Sequence, residues 1–123
     1  MKRIAFLLIC LDVLALISCA QLKEKKESSG LFPIKQNGRW GYIDNNGDIV
    51  INPQFDDVRL FSEGLAPVAI GNKWGYIDKS MKIIIKPQFD WAGPFLKGLA
   101  KVIIGNKFGY INKTGKYVWE PTE

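Results

Sequence analysis

Residues 40–73 read WGYIDNNGDIVINPQFDDVRLFSEGLAPVAIGNK, and residues 74–107 read WGYIDKSMKIIIKPQFDWAGPFLKGLAKVIIGNK. Laid over each other without a gap, the two stretches agree at 20 of 34 positions. The shared words are WGYID, PQFD, GLA and IGNK. A third copy opens at Phe108 with FGYIN, so Trp40, Trp74 and Phe108 recur at a spacing of 34. The register also runs backwards, because SSGLFPI at 28–34 lies over SEGLAPV at 62–68. Self-similarity at a fixed period of this size marks a tandem array, in which each repeat is one supersecondary unit.

Framing each repeat at its Gly-Leu pair gives three units, 30–53, 64–87 and 98–121, joined by connectors 54–63 and 88–97. Each unit reads as three short strands. The first, residues 65–70 in the middle unit, ends at a two-residue turn. That turn is Asn37-Gly38 in the first unit, then Gly71-Asn72 and Gly105-Asn106. Asn-Gly suits a type I′ hairpin turn and Gly-Asn a type II′ turn, so the dipeptide order changes while the hairpin is kept. The WGYI segment is the second strand. Asp44, Asp78 or Asn112 opens the next turn through a side-chain bond to backbone, and Gly47 or Gly115 supplies a left-handed position. Met81 stands at that glycine place in the middle unit, which implies backbone strain of about 1 kcal/mol. The third strand covers 49–51, 83–85 or 117–119, and Pro53, Pro87 or Pro121 is expected to stop it, since proline cannot donate to a ladder.

The predicted fold is therefore all-β: a tandem array of three-stranded antiparallel β-meander (hairpin) repeats, period 34. The middle hairpin should pair Ile70 with Lys73, Ala69 with Trp74 and Val68 with Gly75. Alternation then places Trp74 and Tyr76 on one face, and Gly75 and Ile77 on the other. Both faces carry apolar groups, which predicts packing between successive units. Bare Gly75 leaves room for a bulky neighbour, and Phe89 and Phe95 are the expected occupants.

The whole period, with Lys73-Trp74-Gly75, Lys107-Phe108-Gly109, the PQFD words and the Gly-Leu-Ala words, resembles the WG (KWG) β-repeat family across residues 28–123. Departures are Phe108 for Trp, Asn112 for Asp and Met81 for Gly. The resemblance implies the β-repeat fold and a place among bacterial surface and secreted proteins. It implies no enzymatic activity and no particular ligand.

Upstream of the array, Lys2 and Arg3 precede an apolar run, 4–17, broken only by Asp12. A run this short fits the core of a signal peptide better than a membrane span, which needs about 20 residues. Leu16-Ile17-Ser18-Cys19 resembles the lipobox of bacterial lipoproteins. Residues 1–18 are accordingly expected to be a lipoprotein signal peptide, removed in the mature chain. Residues 19–29 would be a lipidated Cys19 followed by a flexible tether, and 30–123 the WG β-repeat domain. The expected location is the cell envelope, with membrane lipid as a partner through acylated Cys19. Asp12 opposes membrane insertion by about 2.5–3.5 kcal/mol, which the flanking Leu and Ile side chains can offset.

The 123 residues hold 17 basic and 12 acidic side chains and no histidine. Removing Lys2, Arg3 and Asp12 leaves 15 and 11, a charge of +4. That balance suits the neighbourhood of an anionic membrane and is too weak and dispersed to indicate nucleic acid. Without histidine, and with Cys10 leaving and Cys19 acylated, catalytic triads, thiol nucleophiles and His/Cys metal sites are not expected. Asp44-Asn45-Asn46-Gly47-Asp48 has part of a calcium-loop pattern but lacks the downstream glutamate. Asp44, Asp78 and Asp56-Asp57 read as turn and cap residues. No cofactor and no enzymatic activity are predicted. Two repeated rows are candidate interaction residues. One is basic, Arg39, Lys73 and Lys107, with Lys79 and Lys113 beside the acidic turns. The other is aromatic, Trp40, Trp74 and Phe108 with Tyr42, Tyr76 and Tyr110. The expected role is a binding or interaction module for an unidentified envelope protein or polymer. The alternative is a glycan- or peptidoglycan-binding module that uses the aromatic row.

Overall fold

The computed structural model describes residues 30–123, and residues 31–123 form one compact unit. The chain is all-β there: β1 (Phe32–Gln36), β2 (Arg39–Ile43), β3 (Ile49–Phe55), β4 (Asp57–Val58), β5 (Ala66–Ile70), β6 (Lys73–Ile77), β7 (Ile83–Phe89), β8 (Trp91–Ala92), β9 (Ala100–Ile104), β10 (Lys107–Ile111) and β11 (Tyr117–Thr122). They make three antiparallel sheets, β1-β2-β3, β4-β5-β6-β7 and β8-β9-β10-β11.

The hairpins follow the turn chemistry. Asn37 and Gly38 both have positive φ, 52° and 80°, as type I′ demands. Gly71 and Gly105 have φ of 66° and 62°, while Asn72 and Asn106 do not go positive, the pattern of type II′. The middle hairpin pairs Ile70 with Lys73, Ala69 with Trp74 and Val68 with Gly75, as expected. In the next turn Asp44 Oδ1 accepts the N–H groups of Asn46 and Asp48, at 2.9 and 3.0 Å. Asp78 and Asn112 repeat this with Ser80 and Lys82, and with Thr114 and Lys116. Met81 sits at φ 73°, the left-handed position that its place in the repeat implies.

Three expectations are corrected. Proline does not end the third strand, because β3, β7 and β11 run through Pro53, Pro87 and Pro121. Trp74 pairs with Phe89 and Tyr76 with Ile85, so a bulge of extra residues lies opposite Gly75. The ladder is already interrupted there, and the missing proline N–H leaves no bond unmade. Gly75 is bare for the same reason, and not to receive Phe89 or Phe95. A Cβ on it would lie 2.4 Å from Ile85 O and 2.6 Å from Pro87 N, so bulged backbone fills that space. Gly41 and Gly109 meet Pro53 and Pro121 in the same way. The connectors, finally, are partly strand. β4 and β8 leave the preceding repeat and hydrogen-bond to the first strand of the next, making the second and third sheets four-stranded.

The core lies between successive sheets. Tyr42, Ile51, Phe55 and Val58 pack on Ala66, Val68 and Ile77. Trp74, Tyr76, Ile85 and Phe89 pack on Ala92, Phe95, Ala100, Val102 and Ile111. The middle sheet is therefore apolar on both faces, as the sequence pattern predicts.

Candidate functional site

The polar members of the motif do structural work, and in matching ways in the first two repeats. The Asp56 carboxylate pairs with the Arg39 guanidinium and accepts the Gly71 N–H at 2.6 Å. One repeat on, Asp90 accepts from Lys73 Nζ at 2.6 Å and from Gly105 N–H at 2.6 Å. The last residue of PQFD thus ties the basic residue of its own hairpin to the turn of the following one. The Gly105 N–H, and then Lys73, hold the Asp90 carboxyl below the usual carboxylate range. These pairs lie at the surface, where ion pairing alone contributes little, so their main effect is to fix geometry. Among the described residues Lys107 forms no ion pair. The basic row of Arg39, Lys73 and Lys107 is therefore two clamps and one exposed lysine.

Glu63 makes a third clamp, of a different kind. It accepts the N–H groups of Lys97 and Gly98, the latter at 2.9 Å, and pairs with Lys113 Nζ at 3.3 Å. Its carboxyl is held low, first by the Gly98 N–H. Lys113 is thereby placed in an ion pair between a connector turn and a turn of the third sheet.

The aromatic row divides by position. Tyr42 and Tyr76 are buried, and their hydroxyls donate to the Arg59 and Gly93 carbonyls, each at 2.7 Å. Burial pushes both phenols up, with Asp57 adding to the effect on Tyr42 and Arg59 opposing it on Tyr76. Trp74 is also buried. Trp40 and Phe108 are half-buried, and Tyr110 is 37% exposed. Lys101 Nζ stands 4.6 Å over the Phe108 ring, and Trp119, the partner of Tyr110 in β11, is 57% exposed.

Around Trp40 the surface opens into a cleft of about 620 Å³, lined by Pro33, Trp40, Leu60, Phe61 and Pro94, with Val58, Arg59 and Ser62. It lies between the first sheet and the connector that leaves it. Phe61 meets Tyr42 edge-on at 4.9 Å, so that wall of the cleft is the back of the core. The Arg59 guanidinium lies 4.9 Å from the Trp74 ring and 5.3 Å from the Trp91 ring, while its buried Nε has no hydrogen-bond partner. Of the cleft residues, only Trp40 was a candidate from sequence. Arg59, Leu60 and Glu63 stand at connector positions where the copies differ, as Gly93, Pro94 and Lys97 do in the next connector. That departure from the repeat is the signal that could have found them.

No group of three or more His, Cys, Asp or Glu side chains able to hold a metal occurs among the described residues. No helix of the described residues is long and apolar enough to cross a membrane. Cys19, and residues 1–29 expected to form the leader and the tether, lie outside the described residues.

No curated protein and no solved structure matches the chain. A family model described as WG containing repeat matches residues 40–74 and again 74–108. Those matches span more than half of the chain, and the structure builds each one as the same hairpin, bulge and hand-over strand. This protein belongs to the WG containing repeat family.

Proposed function

We propose that the chain is a non-enzymatic, lipid-anchored repeat protein of the cell envelope, acting as a binding module whose partner seats in the cleft beside Trp40. The observation that carries this reading is the chemistry of that cleft. Trp40, Phe61, Leu60 and two prolines offer apolar surface with an aromatic platform, the composition of a recognition groove. Several groups that could do acid–base work are otherwise engaged: Asp78 in a turn, Asp56, Asp90 and Glu63 in clamps, and the Tyr42 and Tyr76 hydroxyls on carbonyls. Anchoring rests on Leu16-Ile17-Ser18-Cys19, with membrane lipid joined through Cys19 and an envelope protein or polymer held by the array.

A photo-crosslinking residue at Phe61 in intact cells tests the cleft. A discrete adduct that disappears in Trp40→Ala supports it, and labelling no different from a probe at Lys107 rejects it. Palmitate labelling lost in Cys19→Ala tests the anchor, and unlabelled wild-type chain rejects that part. A second reading, glycan or peptidoglycan binding, is favoured by the exposed Tyr110–Trp119 pair beside Lys101 and Phe108, which offers stacking faces next to a cation. Muropeptide titration that quenches wild-type but not Trp119→Phe fluorescence would select it.

A further inference from the structure

Half of the large exposed apolar side chains belong to one recurring place in the repeat: Ile49, Val50, Met81, Ile83, Ile84, Val118 and Trp119. All lie on β3, β7 or β11, or in the turn leading into β7. Each of these strands is the last of its sheet, hydrogen-bonded on one side only. Val50, Ile84 and Val118 are equivalent, one per repeat, at 47%, 36% and 58% exposure. They stand at a bulge, where the pairing slips between Tyr42 and Ile43, Tyr76 and Ile77, and Tyr110 and Ile111. The strands that carry the row meet elements of the next sheet at two places. Gln54 Nε2 donates to Met81 Sδ at 3.0 Å, and a Cβ on Gly115 would lie 3.3 Å from the buried Ile85 side chain. Exposed lysines interleave with it, Lys82 and Lys86 in the second repeat and Lys116 in the third. Asp48 and Glu120 are its exposed acids, while Asp78 is turned back onto its own loop.

Branched apolar side chains, flanked by lysines in the second and third repeats, are the composition of a surface that meets anionic headgroups and the first part of the acyl layer. An added β-strand would need a regular edge, and the bulges at Val50, Ile84 and Val118 break each edge where it would pair. At headgroup depth water still reaches the outward N–H and C=O groups of these strands, so they need no protein partner. We propose that the β3–β7–β11 edge lies on an anionic lipid surface, with Val50, Ile84 and Val118 as the apolar contacts and Lys82, Lys86 and Lys116 as the headgroup contacts. This contact adds to the anchoring described above and does not rest on acylation of Cys19.

The test titrates vesicles of phosphatidylcholine and phosphatidylglycerol, 7:3, into the full chain and follows amide hydrogen exchange. The expected result is slowed exchange confined to 49–55, 83–89 and 117–122, absent with pure phosphatidylcholine and reversed by high salt. In Lys82→Gln/Lys86→Gln/Lys116→Gln the lipid concentration for half-maximal protection should rise roughly 100-fold, about fivefold for each lysine. Val50→Ser/Ile84→Ser/Val118→Ser, with unchanged thermal unfolding, should lose the protection even at low salt. No protection at any lipid concentration, equal protection by pure phosphatidylcholine, or protection confined to β1 and its turn would each overturn the proposal.

Discussion

Tyr76 and Tyr110 occupy the same place in successive repeats, within the same four letters of motif, Gly-Tyr-Ile preceded by an aromatic. Tyr76 is wholly buried and bonded to the Gly93 carbonyl, whereas Tyr110 is 37% exposed. Their cross-strand partners differ in the same sense: Ile85 is 3% exposed and Trp119 57%. The two hairpins are built alike, with matching registers and the same Gly-to-bulge contact. The difference comes from Ala92, Phe95, Ala100 and Val102, which cover the Tyr76 face of the middle sheet, while no described sheet covers the Tyr110 face of the third. The motif therefore specifies a sheet with two usable faces, and neighbours decide which aromatic residues become core.

That contrast can be broken most severely at the bulge. Gly75→Ala sets a methyl against the backbone of β7, whose Ile85 and Phe89 are buried against the third sheet, and should cost about 4 kcal/mol or more. Gly109→Ala meets Trp119 O at 2.7 Å, but β11, an edge strand like β7, carries exposed Val118 and Trp119 where β7 has buried Ile85, and can shift, so about 1–2 kcal/mol is expected. Urea unfolding of the two variants measures the gap, and equal losses would mean that the covering sheet does not hold β7 in place. Next in size is Trp74→Ala, which empties the covered face and should cost about 3–5 kcal/mol, against at most about 0.5 kcal/mol for Trp119→Ala on the open one. Smaller again is Met81→Gly, which gives the middle repeat the residue that the first and third use. Relief of the left-handed strain should stabilise by about 1 kcal/mol, less whatever the Gln54 contact to sulfur supplies.

The smallest effect is that of acid. Asp90, Glu63 and Asp78 all have carboxyls held below their ordinary values, by the Gly105 N–H, the Gly98 N–H and the Ser80 hydroxyl respectively. A depressed folded-state value stabilises above the unfolded value and loses that contribution as pH falls through the folded one. Melting temperature should be level above about pH 5 and decline below about pH 4. Asp90→Asn should flatten the decline. The third repeat, with Asn112 in the turn, has no proton to gain there.

Much of this was legible in the sequence because turn chemistry and period are local. Asn37-Gly38 and Gly71-Asn72 fixed the hairpins, and their register fixed which residues face one another. The reading failed where two backbones meet. Proline reads as a strand stop when the partner strand is not considered, yet Pro87 opposite Gly75 is a matched pair that lets the strand continue. Asp57-Val58 reads as connector because two residues carry no periodicity, and only β5 beside them makes them a strand. The cleft escaped for a related reason. Leu60, Phe61 and Pro94 come from two connectors, and their convergence depends on how the sheets stack.

The hand-over strands have a consequence for how the array comes apart. The first and second repeats of sequence each end inside the sheet of the next, so a boundary drawn at the motif cuts through hydrogen bonds between β4 and β5 or between β8 and β9. In a linear array, cooperativity is set by the coupling between neighbours relative to the stability of each element. Here that coupling includes shared ladders as well as buried side chains. The three repeats should melt in a single transition, and a repeat excised at its sequence boundary would carry away a strand that belongs to its neighbour.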